Sequence, residues 1–299
     1  MAEPQVSVII NCWNGENFLE EAIQSVLAQN FRDWELLVWD NASTDRTPEI
    51  VSRFGDRIRY YRNDRHLPLY HSRNLALNQA RGDQVAFLDH DDLWDPDYLD
   101  SLYRLLVEDP DVALAYANAY YIDAGREKRG LFSDNHRMYR GWVFDRLAEE
   151  SFMPAPSAVL FRKQPILDCG GFNTSLAYCG DWDIYLKIAL RGKFEYLDAP
   201  LVRFRIHQSN LSRTRDLEMV NETLELLLAW EKNNQTPGSS LKGFARRKTV
   251  LLLKKSLILF REMKLLQSGK IFWETFLKIT EHPGFLWNLL MQKLFPSRI

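Results

Sequence analysis

Five aspartates crowd the stretch A-F-L-D-H-D-D-L-W-D-P-D: Asp89, Asp91, Asp92, Asp95 and Asp97. Like charges at that density repel, so a cation, a helix terminus or water must offset them. The apolar run Val85–Leu88 just before them reads as a buried strand. In an extended continuation, residues i and i+2 point the same way. Asp89 and Asp91 would then face one side and His90 the other. Two carboxylates so placed suit a hard divalent cation, Mg²⁺ or Mn²⁺, which keeps open positions for phosphate oxygens. The ordinary alternative is an acidic loop whose Asp95 caps a helix starting at Pro96.

Three other short stretches carry usable chemistry. In N-C-W-N-G, residues 11–15, Trp13 offers a ring on which a nucleobase could stack; it could equally cover the edge of a sheet. In W-D-N-A-S-T-D, residues 39–45, Asp40 and Asn41 offer acceptors for base N–H groups or ribose hydroxyls, or form an ordinary turn. In C-G-D-W-D-I-Y-L-K, residues 179–187, Asp181 is a carboxylate next to a glycine that permits close backbone approach. A hydroxyl that attacks must lose its proton, and a carboxylate in reach can take it. Asp181 could instead cap the helix that follows, and Asp183 is the rival carboxylate.

Strands and helices must bring these pieces together. Val6–Ile10 and Glu35–Trp39 are short apolar runs without alternation, which predicts strands buried on both faces. Ile58–Tyr61 and Val85–Leu88 continue the series. Between them, helical spacing marks Phe18–Ala28 and Leu69–Ala80, and Thr47-Pro48 looks like a helix cap followed by proline at the first helical position. Pro96–Val107 is a further helix. The alternation predicts βαβ units and a mostly parallel sheet, whose ligands bind at the carboxyl ends of the strands. Those ends are Asn11, Asp40 and Asp89. Later, Ala113–Tyr121 and Ser157–Phe161 read as strands, and Asp183–Leu190 and Leu217–Trp230 as helices.

Taken in order, V-S-V-I-I-N-C-W-N-G, S-V-L-A-Q, V-W-D-N-A-S-T-D, S-R-N-L-A and F-L-D-H-D-D resemble the inverting GT-A glycosyltransferases of family two. The likeness runs through about the first hundred residues. It resumes at G-D-W-D-I-Y-L-K-I and R-F-R-I-H-Q-S-N-L-S and stops near Trp230. It implies an α/β, GT-A, Rossmann-like sheet flanked by helices. It also implies transfer of a sugar from a nucleotide-diphosphate donor to an acceptor hydroxyl with inversion, in bacterial-type polysaccharide or glycoconjugate synthesis. By matched position, Trp13 stands near the base, and Asp40 and Asn41 at base and ribose. Arg73 lies near the donor nucleotide, Asp89 and Asp91 are the metal-binding pair, and Asp181 is the catalytic base. Arg205 and His207 form an R-x-H element that closes on the diphosphate. Asn11 and Cys12 depart from the family's Pro-x, Asn41 from its second Asp, and His90 from a small residue. Asn11 and His90 therefore shape the donor pocket in this chain's own way. A UDP-sugar is the first expectation for the donor, and a carbohydrate or lipid-linked molecule for the acceptor. The rival classes are a sugar nucleotidyltransferase, which would want a Gly-rich basic phosphate loop, and a silent binding module, which would have lost Asp89, Asp91 or Asp181.

Composition sets the remaining bounds. A chain of 299 residues with net charge −2 has no bulk attraction for nucleic acid. The charge is uneven: from Leu241 onward there are twelve Lys/Arg against three Asp/Glu, a local +9, which leaves −11 for residues 1–240. Residues 1–232 are thus expected to form the catalytic domain, with the nucleotide part in 1–110 and the acceptor part in 111–232. Residues 233–240 (N-N-Q-T-P-G-S-S) form a linker, and 241–299 a basic amphipathic helical tail. Arg247, Lys254 and Arg261 repeat every seventh residue on one face, and Leu252, Leu259 and Leu266 on another. Phe272, Trp273, Phe276, Phe285, Trp287 and Phe295 follow. Such a tail either caps the catalytic domain or touches a membrane surface. With no signal peptide, no charge-free run of about eighteen residues and three scattered cysteines (Cys12, Cys169, Cys179), the chain reads as cytoplasmic. The tail would then meet the inner face of the membrane.

Overall fold

The structure, a computed structural model, describes residues 3–207, 210 and 215–261. Strand β1 (Val6–Cys12) lies at the centre of four parallel strands. Its neighbours are β2 (Trp34–Asp40) on one side and β4 (Gln84–Phe87) on the other, and β3 (Arg59–Arg62) pairs outside β2. The chain moves outward from β1 to β3 and then returns to the far side of β1. Such a reversal opens a crevice at the carboxyl edge of the sheet. Beyond β4 the sheet becomes mixed. Strand β8 (Val159–Arg162) runs antiparallel between β4 and β6 (Val112–Ile122), and β9 (Lys193–Arg205) runs parallel to β6. The two-residue β5 (Leu93–Trp94) edges β9, and β7 (Lys128–Leu131) pairs with β6. Among the described residues β1–β4, β6 and β9 all run in one direction, as the expected mostly parallel sheet requires, and β5, β7 and β8 run against them. Insertion of β8 between β4 and β6 reverses direction twice.

The pleat of β1 sorts its side chains. Val6, Val8, Ile10 and Cys12 enter a core with Leu19, Ala22, Ile23 and Val26 of α1 (Leu19–Leu27) and Leu99, Leu102 and Leu106 of α4 (Tyr98–Glu108). The opposite face carries α3 (Leu69–Gln79), whose Arg73 guanidinium sits 5.5 Å from the Phe87 ring. On that face, burying Ile9, Leu37, Val85 and Phe87 leaves each essentially dry. At ~25 cal/mol per Å², a fully buried residue of this size contributes about 1.5–3 kcal/mol, so the crevice stands on a stiff floor.

Two helix starts differ from expectation. Helix α2 (Thr47–Ser52) begins at Thr47, but the Thr47 hydroxyl accepts the Gly15 N–H (2.9 Å) instead of capping. Asp45 takes the Thr47 N–H in its place (3.0 Å). Helix α4 starts at Tyr98, and the Asp95 carboxylate is paired with Arg203 (2.5 Å) rather than with a helix terminus. The short helices α5 (Phe144–Glu149) and α6 (Lys163–Asp168) precede α7 (Gly180–Ala189).

Packing divides the chain into two compact units: Met1–Leu147 with Ser151–Asn210, and Ala148–Glu150 with Leu211–Ile299. In the second, α8 (Asp216–Glu231) and α9 (Leu241–Arg261) pair through Lys254–Asp216 (2.8 Å) and Lys248–Glu231 (2.7 Å). The division thus falls ahead of α8, not after residue 232, and 233–240 connects two packed helices. These ion pairs, with Arg246–Glu149 (3.0 Å), give three cations of α9 acidic partners within the unit. Leu266 and the later aromatic residues of the tail lie outside the described residues. No described helix is long and apolar enough to cross a membrane.

Candidate active site

The loop after β1 and the turn after β2 are laced together. Asn14, at φ 52°, donates its N–H to the Ser43 hydroxyl (2.9 Å) and accepts the Thr44 N–H on its side-chain oxygen (2.9 Å). The Glu16 N–H reaches Asp45 (2.9 Å). These bonds hold Trp13 half exposed, with His66 against its ring at 4.5 Å between centroids. A flat aromatic surface at the sheet's carboxyl edge suits a nucleobase.

Asp40 and Asn41 lie beside this platform, each in a different role. Asp40 is fully buried and accepts the Ser43 N–H (2.8 Å) and the Tyr60 hydroxyl (2.6 Å). Arg62 Nε stands 3.5 Å from the same carboxylate, whose side chain is wholly enclosed. Asn41 is bonded at both amide atoms: its oxygen accepts from the Leu67 N–H (2.9 Å) and Asn63 (2.8 Å). Its amide donates to the Leu67 carbonyl (2.7 Å). The expectation that Asn41 offers an acceptor to the donor is therefore corrected. It ties down residues 63–67, and with them His66.

Each charge in the acidic knot has its own partner. Strand β4 ends at Phe87, and the Asp92 N–H closes a turn on the Asp89 carbonyl (3.0 Å). The segment is not extended, so the i, i+2 rule does not apply, and Asp89 and Asp91 take different neighbours. Asp89 accepts from Arg73 (2.9 Å), and its N–H donates to the Ser157 hydroxyl (3.0 Å). Asp91 lies 2.8 Å from His207 Nε2. Asp92 accepts from the Ser157 hydroxyl (2.6 Å) and the Arg205 N–H (2.9 Å). Asp97 accepts from Asn30 (2.6 Å). His90 packs on Gly15, where an added Cβ would stand 3.1 Å from its ring. Ser157 and Asp92 had no assigned role in the sequence; the D-D pair was the only signal for Asp92, and Ser157 had none.

Electrostatics distinguish the three acids. Burial raises the Asp89 pKa, helped by Asp91 and Asp181, against Arg73. Burial also works against the Asp91 charge, but the His207 hydrogen bond and the nearby His90 and His207 more than offset it and hold Asp91 low. Asp92, buried beside two other carboxylates, is pushed well up. Of the three, Asp91 is the carboxylate whose charged form its surroundings favour.

Asp181 enters from α7, beside Arg73. Arg73 is 2% exposed and joins Asp89 to Asp181 through its two terminal nitrogens. Burial opposes its charge, but both carboxylates more than offset this and keep it charged. Arg73 is accordingly a bridge between two acids. Asp181 keeps 22% of its side chain exposed. Burial raises its pKa, against Arg73 and the Tyr70 hydroxyl. It does not cap α7: no side-chain bond closes that helix start, and Asp183 is paired with Lys187 (2.6 Å).

Arg205 is likewise engaged within the protein. It is fully buried and donates to the carbonyls of Asp91 (2.8 Å) and Ala124 (3.0 Å) and to Glu21 (2.8 Å). Its guanidinium covers the Phe18 ring at 4.5 Å. These bonds tie the guanidinium to the turn that carries Asp91. Asn11 stands near the end of β1 with both amide atoms buried and, among the described residues, without a hydrogen-bond partner.

The residues fit a divalent cation to a limited degree. Among the described residues no group of three His, Cys, Asp or Glu side chains converges. Asp91 and His207 do converge, and Mg²⁺- or Mn²⁺-type sites commonly rest on one or two protein groups, with phosphates and water completing the shell.

Residues 7–170 match the family described as Glycosyl transferase family 2, and the chain belongs to that family. It is 28% identical to an uncharacterized glycosyltransferase, RT0329, of Rickettsia typhi, covering 71% of this chain and 67% of that one. It is 27% identical to the glycosyltransferase GlyA of Streptococcus pneumoniae serotype 4 over 71% of this chain, which is 32% of GlyA. S. aureus TarS 1-349 in complex with UDP-GlcNAc superposes with TM-score 0.63 at 17% identity, covering 87% of this chain and 73% of that one. The mannosyltransferase PcManGT of Pyrobaculum calidifontis, in complex with GDP-Man and Mn²⁺, gives TM-score 0.64 at 19% identity, covering 100% and 89%. The fold is GT-A, and the chain is a glycosyltransferase.

Proposed function

We propose that this chain moves a sugar from a nucleoside-diphosphate donor to an acceptor hydroxyl in a single inverting displacement assisted by a divalent cation. The observation that carries the reading is the convergence of Trp13, Asp40, Asp91 with His207, and Asp181 on one edge of the sheet. They come from segments far apart in sequence. The Trp13 ring takes the base, and the buried Asp40 holds the turn beside it through the Ser43 N–H. A pyrimidine fits a platform with one exposed indole, so UDP is the first donor to try. Support also comes from the relatives: TarS is known with UDP-GlcNAc and PcManGT with GDP-Man.

Asp91 and His207 would hold the cation, with Asp89 beside them. When bound, it supplies positive charge to the leaving diphosphate. The protein does the rest. Asp181 accepts the acceptor's hydroxyl proton as that oxygen attacks the anomeric carbon on the face opposite the diphosphate, and the carbon–phosphate oxygen bond breaks. Arg73 keeps Asp181 and Asp89 at fixed separation. A carbohydrate or lipid-linked acceptor in polysaccharide synthesis suits this chemistry, as the chondroitin synthase of Pasteurella multocida does among the relatives, 26% identical over 70% of this chain but 21% of its own.

The test is calorimetry with UDP, GDP and dTDP, with Mn²⁺ and with EDTA, followed by NMR of the product's anomeric configuration. Tight UDP binding that is lost in EDTA and an inverted product are expected. Equal affinity in EDTA removes the cation, and a retained configuration removes the single displacement.

A further inference from the structure

Asp181 is held by a contact that neither the family likeness nor the motifs describe. Tyr70 is 1% exposed, on α3, and its hydroxyl lies 3.0 Å from the Tyr178 carbonyl and 3.2 Å from Asp181 Oδ2. Its ring fills the space beside Gly180. A Cβ built on Gly180 would stand 2.6–2.7 Å from three ring atoms, closer than real Cβ atoms come. Gly180 has ordinary helical backbone at the start of α7, so it is not required there for a left-handed turn. Glycine is required there because any side chain would collide with Tyr70.

We infer that Tyr70 and Gly180 form a lock that sets the position of Asp181, with Tyr70 as a positioning residue for the base. This rests on the reading of Asp181 as base. The lock acts in two ways. Sterically, the Tyr70 ring against Gly180 fixes the first turn of α7, and Asp181 is the next residue. Electrostatically, the hydroxyl has one proton and two acceptors, so it favours the ionised carboxylate when it turns toward Asp181. Phe172 stacks on the Tyr70 ring at 5.8 Å between centroids and helps to hold it. Asp181 itself is faced by Arg73 and Tyr70 of α3, by Asp89 after β4 and by Tyr185 of its own helix. Of these, Tyr70 bonds Asp181 and also supplies the three atoms nearest to a Cβ built on Gly180.

Tyr70→Phe keeps the ring and removes the hydroxyl. The carboxylate loses one charge-assisted hydrogen bond and keeps Arg73, so kcat is expected to fall by about tenfold. Donor KM and donor affinity should stay within about twofold, and the acid limb of kcat should move to higher pH because the carboxylate loses a donor. Gly180→Ala should cost more in kcat, again with donor affinity retained. Tyr70→Leu combined with Gly180→Ala should recover part of that loss, since leucine lacks the colliding ring atoms. A purely structural role would lower melting temperature without moving the acid limb. Wild-type kcat and an unmoved acid limb in Tyr70→Phe would overturn the lock, as would loss of donor binding, which would put Tyr70 in the donor site. Should Tyr70→Phe fold poorly, the Gly180→Ala pair decides: strict additivity with Tyr70→Leu overturns the proposal. Asp181→Asn is run alongside. If it transfers at the wild-type rate, the reading of the base has failed; if it is inactive while Tyr70→Phe is normal, only the lock has.

Discussion

Replacing Asp181 by asparagine separates chemistry from binding, and the structure bounds both. Asparagine keeps the size and one acceptor oxygen but cannot take a proton. General-base catalysis is worth about 10²–10⁴-fold, so kcat should fall by that factor. The fold must survive for the loss to mean anything. Arg73 would lose one of its two carboxylates while keeping Asp89 at 2.9 Å. A hydrogen bond to a charged group contributes about 1.5–3 kcal/mol; the amide oxygen retains part of it, and removing a charge from a buried position offsets more. The net cost is therefore about 1–2 kcal/mol, a fall of a few degrees in Tm for a domain of this size. The wild-type pH profile adds a signed expectation. The working form is the carboxylate, and burial raises its pKa. Transfer should thus decline on acidification starting from a pH above the ordinary value of about 4, and the residual Asp181→Asn rate should lack that limb. The assay is sugar transfer across pH, with UDP calorimetry and thermal unfolding on the same preparations. Near wild-type transfer by Asp181→Asn refutes the assignment and turns attention to Asp183. Abolished donor binding with an intact Tm assigns Asp181 to the donor site instead.

Trp13→Ala should weaken nucleoside diphosphate binding by the worth of one stacked base, about 1–3 kcal/mol, with little change in Tm, because the ring is half exposed; unchanged affinity in titration removes the platform. Asp91→Asn should lower Mn²⁺-dependent UDP affinity by about tenfold or more, whereas binding measured in EDTA should be weak in both proteins and equal. Gly82→Ala should lower Tm by several degrees. Its Cβ would meet the backbone of Ser7, Val6 and Gln5 at 2.7–2.9 Å, and overpacking of this kind costs about 1–3 kcal/mol. Activity per folded molecule should not change.

Much of this protein could be read from the chain alone. Short apolar runs without alternation marked β1, β2 and β4, since strands buried on both faces have no polar side to show. The polar residues just past those runs, Asp40 and Asp89, lie at the carboxyl edge because a parallel sheet aligns its strand ends. The mixed second half was less legible, because the direction of β8 depends on which strands it inserts between and not on its own four residues. Partnership was hidden altogether. Arg73 meets Asp181 across 108 positions and Asp91 meets His207 across 116, and no local spacing encodes such a distance. For the same reason the sequence did not show that Arg205 holds the turn of Asp91, or that Asn41 holds the segment 63–67. Residue type and strand ends determined which chemistry this chain could hold. Packing alone decided that Tyr70 stands against Gly180, because that contact depends on how α3 and α7 come together over the sheet.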